Sequence, residues 1–136
     1  MKDDRGSVVV EALLVVPVMM LILLAVVQFA LWAHAAQVAQ LAASEGDRVA
    51  RSPGTSPGAG TAVGTAAAVA AGVNRARYVM EGPGSDLESA GAFASTLPGD
   101  RVRISVTGTA LPILPGLSLP VSATVVGPVQ EFRASE

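Results

Sequence analysis

The sequence predicts an α+β protein held in a membrane by one N-terminal helix, and three observations carry that prediction. An apolar run long enough to cross a bilayer stands near the N-terminus, and a second stretch with helical spacing follows a segment rich in Pro and Gly. Near the C-terminus, two segments alternate polar and apolar residues at period two, the signature of half-buried strands. The expected architecture is a long transmembrane helix continuing into an exported helix, a linker, and a second amphipathic helix packed on a C-terminal β-hairpin.

The anchor comes first. From Ala12 to Ala33 the run holds about 22 residues, with Gln28 as its one polar interruption, and about 20 apolar residues suffice to cross a hydrocarbon layer of about 30 Å. Glu11 stands at the head of this run, where an ionisable side chain is rare and needs a partner, which makes it a site candidate. Pro17, inside the run, marks either a bend or a proline that a membrane helix tolerates. Lys2, Arg5 and the amino terminus precede the span, and no Lys or Arg follows between Val8 and Asp47. Asp3 and Asp4 weigh little in the topology bias, so the N-terminus is expected in the cytoplasm and the C-terminal part on the far side.

Three processing fates compete for this segment. A secretory signal cut after Ala35, using Ala33-His34-Ala35, conflicts with an apolar stretch longer than the usual core of about 7 to 15 residues. A plain anchor explains the length and leaves Glu11 without a role. A cut after Gly6 on the cytoplasmic side explains both, because it makes Ser7 a new N-terminus whose ammonium is costly to bury unpaired. Glu11, four residues along the same helix, is placed to compensate that charge within the chain or from a neighbouring subunit. Glycine before the cut lets the backbone extend into a protease cleft.

Gly6-Ser7-Val8-Val9-Val10-Glu11 followed by Ala12-Leu13-Leu14-Val15-Val16-Pro17 resembles the N-terminus of the TadE-like pseudopilins, minor components of tight-adherence (Flp-type) type IV pili. Ala42-Ala43-Ser44-Glu45-Gly46-Asp47-Arg48 is similar to the family's continuation after the span. The resemblance covers roughly the first 50 residues well and the rest in outline. It implies cleavage by a prepilin peptidase between Gly6 and Ser7, Glu11 as the charge-pairing assembly residue, and pilin or pseudopilin subunits with their assembly machinery as partners. Ala12 departs from the aromatic that Flp-type pilins commonly place after the glutamate.

Beyond the membrane the helix is expected to run on from Ala35 to about Arg51. Ala35, Ala39 and Ala43 form a small-residue row that would admit another helix closely, although alanine is also simply the best helix former. Glu45 with Arg48, and Asp47 with Arg51, are spaced as weak surface pairs. Gly46 costs about 1 kcal/mol in a helix interior and predicts fraying at this end. His34 reads as an interfacial side chain, since no second metal-ligating residue lies within helical reach.

Ser52 to Gly60 reads as a linker by composition, and Gly58-Ala59-Gly60-Thr61-Ala62-Val63-Gly64 only superficially resembles a nucleotide-binding loop. From Thr61 to about Met80, Val69, Val73, Ala76 and Met80 share one side of a helix and Asn74, Arg75 and Tyr78 the other. Arg101 to Thr107 alternates, as does the series Leu119, Val121, Ala123, Val125; Pro120, lacking an amide hydrogen, places the second strand at an edge. A lone hairpin is barely stable, so the preceding helix is its expected cover. Leu111-Pro112-Ile113-Leu114-Pro115-Gly116-Leu117 joins the strands as an apolar loop that either caps the core or meets a partner.

The chain divides accordingly into a leader (1–6), an N-terminal helix (7–51) with its span at about 12–33, a linker (52–60) and an exported head (61–136). About 100 residues beyond the span, poor in aromatics, make a marginal core that assembly would support. With no cysteine and one histidine, and with Asp86, Glu88, Asp100 and Glu131 in polar loops or tails, neither catalysis nor a metal or cofactor site is expected. The net charge of −2 and the scatter of Lys2, Arg5, Arg48, Arg51, Arg75 and Arg77 argue against nucleic acid. The expected setting is a cell membrane crossed once, in or at the base of a pilus, with lipid as a partner. The runner-up is a non-polymerising anchored protein with a small binding head.

Overall fold

The computed structural model describes residues 5–52, 62–99, 101–114 and 116–128, with side chains from Val10 in the first helix and from Ala66 in the second. Residues 1–4, the linker over 53–60 together with Thr61, Asp100, Pro115 and residues 129–136, Glu131 among them, lie outside the described residues.

Helix α1 (Arg5–Arg51) is continuous over 47 residues, which at about 1.5 Å per residue is about 70 Å of helix. It has two halves of different character. From Val10 to Phe29 nearly every side chain is exposed, including Leu13, Leu14, Met19, Met20, Leu23 and Phe29. Such a surface is at odds with a soluble core helix, and this half is the one stretch among the described residues long and apolar enough to cross a membrane. It fits a single-pass membrane protein. Pro17 lies inside α1 without ending it. Its missing amide hydrogen forfeits one backbone hydrogen bond, a loss that membrane helices tolerate.

The second half of α1 belongs to the head. Ala35, Ala39, Ala42 and Ala43 are fully buried and Ala50 nearly so, and they share one face by the i, i+4 geometry of a helix. Helix α2 (Ala62–Met80) lies against that face, burying Ala68, Gly72, Ala76 and Met80. The small-residue row is therefore a packing surface, and it reaches further than Ala43. At Gly46 a Cβ would stand 2.8 Å from the carbonyl oxygen of Gly72, and at Gly72 a Cβ would stand 2.7 Å from that of Gly46. The two helices cross backbone to backbone there. Gly46 thus marks a close backbone contact between α1 and α2, and the expected fraying gives way to a helix that continues to Arg51.

Strands β1 (Leu87–Leu97), β2 (Arg101–Ala110) and β3 (Leu119–Pro128) form an antiparallel sheet in the order β1-β2-β3. The α+β class holds, and both alternating segments are strands: Val102, Ile104 and Val106 of β2, and Val121 and Ala123 of β3, point into the core. Pro120 is exposed on β3, an edge strand, where a missing amide hydrogen costs no ladder bond.

The hairpin expectation is corrected by a third strand. β1 reads Leu-Glu-Ser-Ala-Gly-Ala-Phe-Ala-Ser-Thr-Leu, and only its Ala92 is buried. With small residues on the inner face and Phe93 exposed, it has no period-two hydrophobic signal. A bulge between Glu88 and Gly91, with Ser89 at φ 51°, breaks the alternation further. Glu88 consequently sits in a strand rather than a polar loop, its carbonyl accepting from Thr109 Oγ1 at 2.9 Å.

The cover is also redistributed. The second half of α1 lies over β2 and β3, whereas α2 packs mainly on α1 and β1. A helix face of alanine and glycine brings its axis close to the sheet, and Ile104, fully buried, fills the space beside Gly46 and Gly72.

Candidate functional site

Gly6 and Ser7 lie in the first turn and a half of α1, and Glu11 one turn further on, exposed among Val10, Leu13, Leu14 and Val15. The ion pairs among the described residues are Arg48–Glu45, Arg51–Asp47 and Arg75–Glu45, and Glu11 takes part in none of them. Its carboxylate therefore stands on an apolar surface and has no cationic partner among the described residues.

At the other end of the span, three polar side chains of α1 tie the head down. Gln28 is 1% exposed. Its Nε2 donates to Leu111 O at 3.3 Å, and its Oε1 accepts from the Ile113 and Leu114 amides at 2.8 and 3.4 Å. Trp32 Nε1 donates to Pro120 O at 3.3 Å, and Phe29 lies against Trp32 with ring centroids 5.4 Å apart. His34 Nε2 lies 2.9 Å from Gly84 O; a carbonyl only accepts, so this nitrogen carries the proton. His34 is thus a clamp on the α2–β1 connection.

Gln28 looked like a lone polar interruption of the span, and nothing in its sequence neighbourhood identifies its partners, which lie 83 or more residues away. Replacing it by leucine strands one carbonyl and two amides, at about 1 to 3 kcal/mol for each group left without a partner. Gln28→Leu is expected to accelerate amide hydrogen exchange at Ile113 and Leu114, measured on the micelle-bound protein, while leaving the exchange of β2 unchanged.

The run Glu45-Gly46-Asp47-Arg48 is resolved residue by residue. Glu45 reaches across to Arg75 of α2 at 3.2 Å and meets Arg48 at 3.7 Å. Arg75 also stacks over Tyr78, 5.5 Å from the ring centroid. Gly46 makes the helix crossing. Asp47 departs from the expected surface pair: it pairs with Arg51 at 2.7 Å, but its side chain is only 3% exposed. Asp47 Oδ1 and Arg51 Nε are buried without a hydrogen-bond partner beside Gly127 of β3, where any side chain would run into Asp47 Oδ1. The charged face of the helix end is partly an interface with the sheet.

The family model described as TadE-like protein matches residues 6–48. Residues 6–48 form a TadE-like segment. The match begins at the glycine proposed for cleavage and ends at Arg48, so the TadE-like segment carries Glu11, the apolar half of α1, the Gln28–Trp32–His34 clamp and the glycine crossing. Helix α2 and the sheet lie beyond it. The TadE-like family is one of pilus structural and accessory proteins. The chain has no match among curated proteins and none among solved structures.

Proposed function

We propose that this chain is a minor pilin-like subunit of tight-adherence pili, synthesised as a membrane precursor and cut after Gly6 by a prepilin peptidase. One observation carries the reading: the TadE-like segment begins at Gly6 and sets Glu11, the fifth residue of the processed chain, on the exposed apolar half of α1. In this scheme the N-terminus faces the cytoplasm and the head is exported. Cleavage converts the Ser7 amide into an ammonium. An unpaired charge in a low-dielectric setting costs several kcal/mol, so the ammonium and the Glu11 carboxylate compensate each other, within one helix or between adjacent ones.

The apolar surface from Val10 to Phe29 then serves twice. In the membrane it faces lipid, and when the assembly machinery extracts the subunit it packs against neighbouring pilin helices. Val15, Val16, Met19, Met20 and Leu23 border a shallow apolar depression on this surface, a shape that takes side chains of another helix.

Two substitutions in the native host test the scheme. Gly6→Leu is expected to leave a full-length precursor in the membrane fraction and to abolish pilus-associated function. Glu11→Ala is expected to be cut normally yet to fail in assembly, because the new ammonium loses its counter-charge. Pili at wild-type levels with both variants would point to the plain anchor instead.

A further inference from the structure

We propose that the described residues of the β2–β3 connection, 111–114, 116 and 117, enter the membrane interface beside α1 and meet lipid acyl chains through Leu111, Ile113 and Leu117. The proposal rests on the reading of α1 as a membrane span, and depth is its first support. Counting from Ala12 at about 1.5 Å per residue, Gln28 lies about 24 Å and Trp32 about 30 Å along the helix. The hydrocarbon layer is about 30 Å thick. Trp32 with Phe29 therefore occupies the boundary where aromatic side chains gather. The loop is hydrogen-bonded to Gln28, one turn deeper than Trp32.

The second support is the state of the loop backbone. Irregular chain is tolerated at membrane depth only where its polar groups are satisfied by protein. Here the Leu111 amide donates to Asp86 O at 3.1 Å and the Leu117 amide to Leu114 O at 3.2 Å. The Ile113 and Leu114 amides and the Leu111 carbonyl are bound by the buried Gln28 side chain. Pro112 has no amide hydrogen to satisfy. These backbone groups are held by protein rather than left to solvent.

The third support is what the loop leaves outside. Leu111, Ile113 and Leu117 are 39%, 42% and 40% exposed, and no charged residue occurs between Arg103 and Glu131. This apolar tip continues the exposed apolar surface of α1 at its C-terminal end, so the occupant we assign is lipid. The loop would give the head a second foothold on the membrane and set its tilt relative to the span.

Site-directed fluorescence tests the assignment, and the natural absence of cysteine makes it direct. The full chain, one copy per lipid nanodisc, carries an environment-sensitive NBD label at Ile113→Cys, at Val18→Cys within the span, or at Ser95→Cys at the far end of the sheet. Quenching is read with phosphatidylcholine bearing a nitroxide near the top of its acyl chain, and with aqueous iodide. The expected result is blue-shifted, nitroxide-quenched emission at positions 113 and 18, and iodide-quenched emission at 95. Leu117→Cys repeats the measurement if Ile113→Cys does not fold. Nitroxide quenching at 18 with iodide quenching alone at 113 and 117 overturns the proposal and leaves the span intact. Blue-shifted emission at 113 without nitroxide quenching overturns it in favour of a protein contact. Absence of nitroxide quenching at 18 overturns the span itself, and the loop proposal with it.

Discussion

Gly46→Leu is expected to disrupt the head while leaving the apolar half of α1 helical. A Cβ at this position would stand 2.8 Å from Gly72 O, 3.2 Å from Ala76 Cβ and 3.2 Å from Ile104 Cγ2. The first neighbour is backbone and cannot swing aside, so α2 must withdraw from α1, and the reciprocal approach at Gly72 opens with it. Overpacking a tight core costs about 1 to 3 kcal/mol and occasionally more, and a branched side chain against backbone belongs at the upper end. Helix propensity favours leucine over glycine by somewhat under about 1 kcal/mol, too little to reverse the sign. Ser44→Leu, at an exposed position of the same helix, is the matched control and should change stability by no more than about 0.5 kcal/mol. Thermal unfolding in detergent micelles, followed through the single tryptophan at Trp32, separates the two variants, since Trp32 is bonded to the head at Pro120.

Ile104→Ala is expected to destabilise the head at least as strongly. Ile104 is fully buried and the largest of the fully buried side chains, on the central strand β2. Removing most of a buried isoleucine costs about 2 to 5 kcal/mol, the amount depending on how far the site can collapse. Collapse is restricted here. The walls include Gly46 and Gly72, which have no side chains to move into the void, and a helix crossing that backbone contacts already hold at its closest approach. The upper part of that range is therefore expected, a large fraction of the total stability of a small domain. Ile104→Val, which removes one methyl group, should lose only about 0.5 to 1.5 kcal/mol. A chemical denaturation series on the micelle-bound protein compares the three side chains.

What the sequence disclosed depended on which physical signal each element carries. The span is legible as one long apolar run, whereas α2, β2 and β3 follow a hydrophobic period and lie where that period puts them. Strand β1 has no such period, because its inner face is alanine and its register is interrupted by a bulge. The second half of α1 is amphipathic in size rather than in hydrophobicity, so its alanines carried two readings, plain helix propensity the stronger of them, until α2 was seen to lie on them. Gly46 was misleading for the same reason: its intrinsic helix cost is visible along the chain, and the close approach that offsets it is visible only in three dimensions. Asp47 had helical spacing to Arg51 and does pair with it, but its burial comes from β3, some 80 residues further along. The candidate processing residues were legible because their chemistry is local: Gly6, Ser7 and Glu11 fall within six consecutive positions. The clamp formed by Gln28, Trp32 and His34 was not, since every one of its bonds spans 50 residues or more.

The central claim is that the chain is a processed pilin-like subunit, with Glu11 compensating a new N-terminus. The most direct measurement is the intact mass and N-terminal sequence of the protein purified from its native host. A chain beginning at Ser7, lacking Met1 to Gly6, is the predicted result. A chain that still begins at Met1, or one that begins beyond Ala35, would contradict it.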